Sequence, residues 1–258
     1  MRQKFPDYDN CIVNLANSIL NEFTLTEEGR QGLKGLESYL AKNYENIVVI
    51  LLDGMGTAIM EKNLDENGFF RTHFKNSYSS VFPPTTVAAT TSIISGSMPC
   101  LHGWLGWDCY FPKLDKNVTV FLNTETGTKN PAAPYHAAHT FCGYESVVSR
   151  ICANGGQAYE VTPFAEPFPK TFGEFCEQVN ALCKKSGKKY IYGYWNEPDA
   201  TMHDEGCYSD KARQVVRELE RQVQELCNGL KDTLVVVTAD HGHMDSQCVT
   251  ITDYPKIM

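Results

Sequence analysis

The chain contains short runs of consecutive apolar residues that are separated by longer amphipathic segments. Two of these runs, at residues 47–52 and 233–238, are rich in β-branched residues. Such runs are typical of strands that are buried on both faces of a parallel sheet. Residues 189–194 and 77–82 are predicted as further strands, and residues 118–122 as a short one. The pattern therefore predicts strands along most of the chain.

Apolar residues that recur every three or four positions predict helices between these strands. The predicted helices cover residues 9–23, 30–44, 87–95, 172–185 and 209–230, and another helix is expected after Gly56. Because buried strands alternate with helices, we expect an α/β fold: a three-layer αβα sandwich with a mostly parallel central sheet.

The length and composition favour a single domain with one inserted region. With 258 residues, of which 42% are hydrophobic, the chain can form one large core. Residues 104–165 are rich in glycine, proline and aromatic residues, and we expect them to form an insertion or cap over the active face. The net charge of -8 and the lack of a long Lys/Arg cluster do not favour a nucleic-acid partner.

The cysteines and the apolar segments bear on the cellular location. The ten cysteines form no CxxC pair, so we interpret them as reduced thiols that mostly pack in the core. The first residues lack the apolar region of a signal peptide, and no apolar run is long enough to span a membrane. We therefore predict a cytoplasmic protein without a membrane partner. The sequence does not indicate its oligomeric state.

Acidic and histidine residues follow the predicted strands. Asp53 follows the first strand, and Asp240 and His241 follow the last. Asp199 and His203 lie four positions apart after the strand at 189–194, so a helical turn would place them on one face. Each residue alone is compatible with a turn, an N-cap or ordinary packing. Because strand ends meet at one edge of a parallel sheet, together they predict a metal site, and Asp/His ligands favour Zn²⁺ or Mn²⁺ over Ca²⁺.

Two other histidines lie close to these segments in the sequence. Gly242 separates His243 from the preceding Asp-His pair, so we do not expect His243 to be a ligand. His102, which precedes Gly103, is expected to be structural or close to the substrate.

Residues 83–92 place several hydroxyl groups at the start of a predicted helix. The ordinary role of a threonine at this position is an N-cap. However, a helix N-terminus also attracts phosphate through its free N–H groups, and a threonine beside a metal could attack phosphorus. The chain has no GxSxG nucleophile elbow, no phosphate-binding GxxxxGK[ST] loop and no complete dinucleotide-binding fingerprint.

Four segments resemble, in the same order, those of the type I phosphodiesterase/nucleotide pyrophosphatases of the alkaline phosphatase superfamily. They are residues 48–54, 82–103, 197–206 and 238–244. The resemblance implies an alkaline phosphatase-like hydrolase that cleaves a phosphodiester or nucleotide pyrophosphate bond of a small-molecule substrate through a phospho-threonine intermediate. The alternatives are a phosphomonoesterase or sulfatase of the same superfamily, or a catalytically silent domain.

The resemblance also implies how the predicted ligands are shared between two divalent metal ions, Zn²⁺ in first place and Mn²⁺ as the alternative. Asp199 and His203 would hold one ion. Asp53, Asp240 and His241 would hold the other, with the nucleophilic hydroxyl beside it.

The family's spacing back from Gly96 implies that Thr86 is the nucleophile, and the neighbouring Thr85 is the alternative. The family usually carries an asparagine three residues after the nucleophile, where this chain has Ala89. We therefore expect Thr90, or backbone N–H groups, to bind a phosphate oxygen.

The family supplies one more metal-binding histidine well downstream of the Asp-His-Gly segment. The sequence ends at Met258, before the position where that histidine is expected. This departure favours a C-terminally incomplete catalytic domain at residues 1–258, and it also motivates the alternative of a silent domain with one ligand missing.

Overall fold

The computed structural model describes residues 5–25 and 30–246, and these ranges contain two β-sheets. The strands are β1 (Asn46–Leu52), β2 (Asp108–Phe111), β3 (Lys116–Thr119), β4 (Thr124–Glu125), β5 (Gln157–Val161), β6 (Lys189–Trp195) and β7 (Thr233–Thr238). The central sheet is parallel and has the strand order β5-β6-β1-β7. Strands β2, β3 and β4 form a separate antiparallel sheet.

Helices cover both faces of the central sheet. They are α1 (Ile12–Glu22), α2 (Glu37–Leu40), α3 (Thr57–Asn63), α4 (Phe69–His73), α5 (Thr86–Ser95), α6 (Pro99–His102), α7 (Ala137–Phe141), α8 (Val147–Ala153), α9 (Phe172–Cys183), α10 (Asp199–Glu205) and α11 (Asp210–Gly229). The predicted α/β fold class with a mostly parallel central sheet is therefore confirmed.

Strand β1 lies inside the parallel sheet, and all seven of its residues are buried. Alternate side chains of a strand point to opposite faces, so Ile50 packs in one hydrophobic core and Val49 in the other. Helices α3, α9, α10 and α11 contribute to the first core, and helices α1, α5 and α8 to the second. The sheet is thus the middle layer of an αβα sandwich.

The sequence of helix α11 explains both where this helix begins and which face packs against the sheet. Ser209 caps the helix, because its Oγ accepts a hydrogen bond from the N–H of Ala212 at 3.0 Å. The buried residues recur every three or four positions and are Ala212, Val216, Leu219, Val223 and Leu226. This apolar face packs in the same core as Met202 of α10, the helix that carries two predicted ligands.

Two predicted elements differ from the structure. Residues 77–82 do not form a strand, because Ser79 makes only one isolated parallel bridge, to Cys11 beside α1. The predicted helix at residues 30–44 is reduced to the short α2. Gly35 has a φ of +87°, which a continuous right-handed helix does not accommodate.

The predicted insertion at residues 104–165 is too long at its C-terminal end. Strands β2 to β4 and helix α7 lie within it, but α8 packs in the second core and β5 pairs with β6 in the central sheet. Strand β5 is at the edge of that sheet, and only Ala158 and Val161 are buried. Its sequence therefore lacks the apolar run by which the other parallel strands were predicted.

All nine cysteines in the described part of the chain are free thiols, and Cys248 lies outside it. Cys11 and Cys207 are fully buried, as expected of thiols that pack in a core. None of the described helices has the length and the apolar character needed to cross a membrane.

Candidate active site

The carboxyl ends of β6, β1 and β7 bring the predicted ligands together. The N–H of Asp53, directly after β1, donates to the carbonyl of Trp195 at 3.0 Å. The N–H of Asp199, the first residue of α10, donates to the carbonyl of Asp53 at 3.1 Å. Oδ1 of Asp240, just after β7, accepts from the N–H of Gly54 at 3.1 Å. These hydrogen bonds to backbone groups fix the relative positions of the three aspartates.

Four residues, Asp53, Thr86, Asp240 and His241, form the first cluster. The Thr86 hydroxyl lies 3.1 Å from His241 Nε2 and 3.5 Å from Asp53 Oδ1. His241 Nε2 also lies 3.4 Å from Asp53 Oδ1 and 3.5 Å from Asp240 Oδ2. The first cluster therefore surrounds one imidazole nitrogen with three oxygen atoms.

Neighbouring backbone groups leave the inward-facing atoms of this cluster available to a cation. His241 Nδ1 lies 2.9 Å from the carbonyl oxygen of Gly242. Because a carbonyl only accepts, Nδ1 carries the hydrogen, and the lone pair of Nε2 faces the oxygens. Oδ1 of Asp240 accepts from the N–H groups of Gly54 and His241, so its Oδ2 is the oxygen that faces the cluster.

Asp199, His203 and His243 form the second cluster. His203 Nε2 lies 3.3 Å from Asp199 Oδ2, and His243 Nδ1 lies 2.9 Å from Asp199 Oδ1. One ligand atom from each of the three lies within 4.8 Å of the others, and the same is true of Asp53, Asp199 and His241. Asp199 therefore connects the two clusters.

The distances in both clusters fit divalent cations. Donor atoms about 2.0 Å from a tetrahedral Zn²⁺ lie about 3.3 Å from one another. The distances between donors are 3.1 to 3.5 Å in the first cluster and 2.9 and 3.3 Å in the second. Both clusters combine carboxylate with imidazole, a donor set that suits Zn²⁺ or Mn²⁺.

Electrostatics also favours a cation in the first cluster. Burial raises the pKa of Asp53 from 3.8 to about 9, with a second contribution from the charge of Asp240 and a smaller one from Asp199. A hydrogen bond from the Tyr194 hydroxyl to Asp53 Oδ2 opposes this rise. Ionisation of a buried carboxylate next to other carboxylates costs free energy, and a cation beside it lowers that cost strongly.

The two candidate nucleophiles lie in different surroundings. Thr86 is the first residue of α5, and its hydroxyl belongs to the first cluster. Thr85 is the N-cap residue of α5, but its side chain makes no capping hydrogen bond. Because the first N–H groups of a helix have no acceptor within it, the start of α5 is suited to bind an anion. The geometry favours Thr86 over Thr85.

Thr90 lies one helical turn after Thr86 and is 4% exposed. Its hydroxyl donates to Asp240 Oδ2 at 3.3 Å, so it contacts a carboxylate of the first cluster. The binding of a phosphate oxygen by Thr90 stays a prediction. Ala89, where an asparagine was expected, is fully buried in a small core with Val13 and Val81.

Both ring nitrogens of His102 make contacts that hold the fold together. Its Nδ1 accepts from the N–H of Trp104 at 3.1 Å, and its Nε2 lies 3.0 Å from Ser92 Oγ. Burial lowers the pKa of His102 to about 4, so the imidazole is neutral at pH 7. The residue joins α5 to the inserted region, whose hydrophobic core includes Val87, next to Thr86.

Gly56 allows the turn after β7 to approach the turn after β1. A Cβ atom on Gly56 would lie 2.6 Å from the Cα of Gly242. We expect Gly56→Ala to displace the turn that carries His241, to destabilise the fold by about 1–3 kcal/mol and to weaken zinc binding. Urea unfolding and zinc titration measure the two effects.

Gly229→Ala is the matched control for this substitution. A Cβ on Gly229 meets nothing within 4 Å, so this variant should keep wild-type zinc affinity and lose no stability. Wild-type zinc affinity in Gly56→Ala would contradict the role assigned to the close approach of the two turns.

Two side chains at the site were not predicted. Tyr194 pairs with Leu51 in the β6–β1 register, one residue before the end of each strand. From this position its hydroxyl donates a hydrogen bond to Asp53 Oδ2. His243 was not expected as a ligand because a glycine precedes it, yet its Nδ1 contacts Asp199. A second histidine two positions after His241 was the available signal.

The chain is similar to known proteins in sequence and in fold. The family model "Type I phosphodiesterase / nucleotide pyrophosphatase" matches residues 47–256. A venom phosphodiesterase of Macrovipera lebetinus is 24% identical over 234 aligned residues, which cover 81% of this chain and 27% of that protein. The chain thus spans about a quarter of that relative's length.

Two solved structures of murine ectonucleotide pyrophosphatase/phosphodiesterase 5 share the fold, with TM-scores of 0.57 and 0.58. Each is 18% identical to this chain and covers 76% of it, and the match covers 56% and 57% of the two solved chains. One of the two is an inactive variant in complex with AMP. Because the family model matches more than half of its residues, the chain belongs to the type I phosphodiesterase/nucleotide pyrophosphatase family.

Proposed function

We propose that this protein hydrolyses a phosphodiester or nucleotide pyrophosphate bond in a small substrate, with Thr86 as nucleophile and two divalent cations. The observation that carries the proposal is the position of the Thr86 hydroxyl. It lies at the N-terminus of α5, within 3.5 Å of both His241 Nε2 and Asp53 Oδ1. Family membership supports the same class of reaction.

In the proposed reaction, Thr86 Oγ attacks the phosphorus atom. A bond from Oγ to phosphorus forms while the bond from phosphorus to the leaving oxygen breaks. Oγ loses its proton to water, and the leaving oxygen takes a proton from water, which releases an alcohol or a nucleotide. The leading N–H groups of α5 are placed to stabilise negative charge on the transferring group. Water then attacks the same phosphorus atom, cleaves its bond to Thr86 Oγ, releases the remaining phosphate monoester and restores the hydroxyl.

The two clusters are the proposed sites of the cations. Asp53, Asp240 and His241 would hold one, and Asp199 and His203 the other. When bound, the cations would lower the pKa of an adjacent hydroxyl or water and neutralise charge on the phosphoryl oxygens. The oxygen and nitrogen donors and their spacing favour Zn²⁺, with Mn²⁺ as the alternative.

We further propose a nucleotide or another small phosphoester as the substrate and the cytoplasm as the location. The AMP complex of the murine neighbour supports a nucleotide. The location rests on the nine described cysteines, which are all free thiols, since free thiols persist in reducing compartments.

A panel of chromogenic substrates tests the reaction class. With Zn²⁺ present, we expect hydrolysis of bis-p-nitrophenyl phosphate to exceed that of p-nitrophenyl phosphate and of p-nitrophenyl sulfate by at least about tenfold in kcat/KM. NAD⁺ tests the pyrophosphate bond, followed by release of AMP. A preference for the monoester or the sulfate would instead indicate the phosphomonoesterase or sulfatase alternative.

Metal content decides the remaining alternative of a silent domain. Two tightly bound zinc ions per chain, measured by elemental analysis after gel filtration, are expected of the enzyme. No turnover of any substrate, together with one zinc ion or none, would support a silent domain and refute the proposal.

A further inference from the structure

We propose that His243 is the third protein ligand of the cation held by Asp199 and His203. This inference rests on the proposed function, because the second cluster is one of the two cation sites that the reaction uses. It assigns a metal-binding role to a residue that was not expected from the sequence to be a ligand.

The first argument is the way in which two imidazoles share one carboxylate. His203 Nε2 lies 3.3 Å from Asp199 Oδ2, and His243 Nδ1 lies 2.9 Å from Asp199 Oδ1. The two rings are 4.6 Å apart between centroids and inclined by 74°. Each ring therefore presents one nitrogen to a different oxygen of the same aspartate.

The second argument is the size of the space that these atoms enclose. One ligand atom from each of the three residues lies within 4.8 Å of the other two. A Zn²⁺ ion with bonds of about 2.0 Å needs donors about 3.3 Å apart, so small side-chain adjustments suffice. Two imidazoles and one carboxylate are also the protein donor set of known catalytic zinc sites.

The third argument is that the loop bearing His243 is anchored on both sides. Before it, Gly242 lies so close to Gly56 that a Cβ atom on Gly56 would be 2.6 Å from the Cα of Gly242. After it, Asp245 Oδ1 accepts a hydrogen bond from the N–H of Cys207 at 2.8 Å, and this bond connects the loop to the segment that follows α10. The side chain of His243 is only 17% exposed. It is therefore held at Asp199 rather than extended into solvent.

Metal binding by variants tests the assignment without reference to turnover. Wild-type protein and His243→Ala are loaded with Zn²⁺, and zinc affinity is measured by competition with a chromophoric chelator. We expect wild type to bind two ions and His243→Ala to keep the ion of the first cluster, while the second ion binds about 10 to 100 times more weakly. His203→Ala is the positive control and should weaken the same ion.

His243→Gln separates a ligand from a hydrogen-bond donor and provides a second variant if His243→Ala does not fold. The glutamine amide can still donate to Asp199 but has no imidazole lone pair. Weakened binding of the second ion in His243→Gln supports the assignment. Wild-type affinity for both ions in either variant overturns it. His73→Ala, which removes an exposed histidine of α4, should bind zinc like wild type.

The outcomes also separate this inference from the proposed function. If His243→Ala loses the second ion but wild type hydrolyses none of the test substrates, the metal assignment holds and the proposed reaction is wrong. If wild type hydrolyses the diester and His243→Ala binds both ions normally, the reaction holds and the assignment of His243 is wrong.

Discussion

Thr86→Ala should lower turnover of a phosphodiester substrate by roughly 10³-fold or more, because it removes the proposed nucleophile. The Thr86 hydroxyl is the group of α5 that contacts both His241 and Asp53. The three remaining members of the first cluster are unchanged in this variant, so zinc should still bind there. Steady-state kinetics and zinc titration of the same preparation measure the two properties.

Two other substitutions control for effects on the fold. Thr86→Ser keeps a hydroxyl at the same position and should retain far more activity than Thr86→Ala. Thr85→Ala tests the alternative nucleophile, and its side chain makes no capping hydrogen bond, so it should reduce neither activity nor stability strongly. Acid-quenched wild type that is turning over bis-p-nitrophenyl phosphate should carry a p-nitrophenyl phosphoryl group on Thr86, which peptide mass spectrometry detects. The same adduct on Thr85, or near-normal turnover by Thr86→Ala, would contradict the assignment.

The sequence was most informative where a residue's position follows from the direction of a strand or the period of a helix. The apolar run of β1 predicts a buried parallel strand, so Asp53 must lie at its carboxyl end, at the edge of the sheet where the other parallel strands also end. The four-residue spacing of Asp199 and His203 predicts a shared face once a helix begins there, and α10 begins at Asp199. These placements needed only the periods of strand and helix.

The sequence was least informative where a contact depends on how loops approach each other. The contact of His243 with Asp199 depends on the close approach of the Gly56 and Gly242 backbones, which no periodicity encodes. The hydrogen bond from Tyr194 to Asp53 required the order of the strands in the sheet, which the sequence alone did not give. Strand β5 was missed because an edge strand is only half buried and need not be apolar throughout.

The crowding of carboxylates suggests that this site is maintained for function at a cost in stability. Asp53 is buried, and its pKa is raised to about 9 by burial and by the charge of Asp240. A raised pKa means that the folded state holds the proton more tightly than the unfolded state. The stabilisation of the folded state by protonated Asp53 is therefore fully present below about pH 4. It is lost as the pH rises toward 9 and the folded protein gives up this proton. A bound cation would reverse this loss.

Asp53→Asn should have opposite effects on stability and function. In chelator-treated protein at pH 8, we expect the variant to be more stable than wild type by about 1–3 kcal/mol, because a neutral amide avoids the cost of ionising a buried group. Its stability should also fall less steeply than that of wild type between pH 5 and 8. At the same time, zinc affinity of the first cluster should fall by about 100-fold, and turnover with it. Urea unfolding at several pH values, with and without Zn²⁺, measures these effects.

Asp204→Asn distinguishes this effect from a general change in net charge. Asp204 is an exposed carboxylate of α10, next to His203, and its replacement should change stability by no more than about 0.5 kcal/mol. Added Zn²⁺ should stabilise Asp204→Asn as much as wild type and Asp53→Asn much less, since only ligand binding to the native state raises its stability. If chelator-treated Asp53→Asn were less stable than wild type at pH 8, the hydrogen bonds of Asp53 would outweigh its burial and its repulsion by neighbouring carboxylates. The charge cluster would then not be the reason that a cation binds at this edge of the sheet.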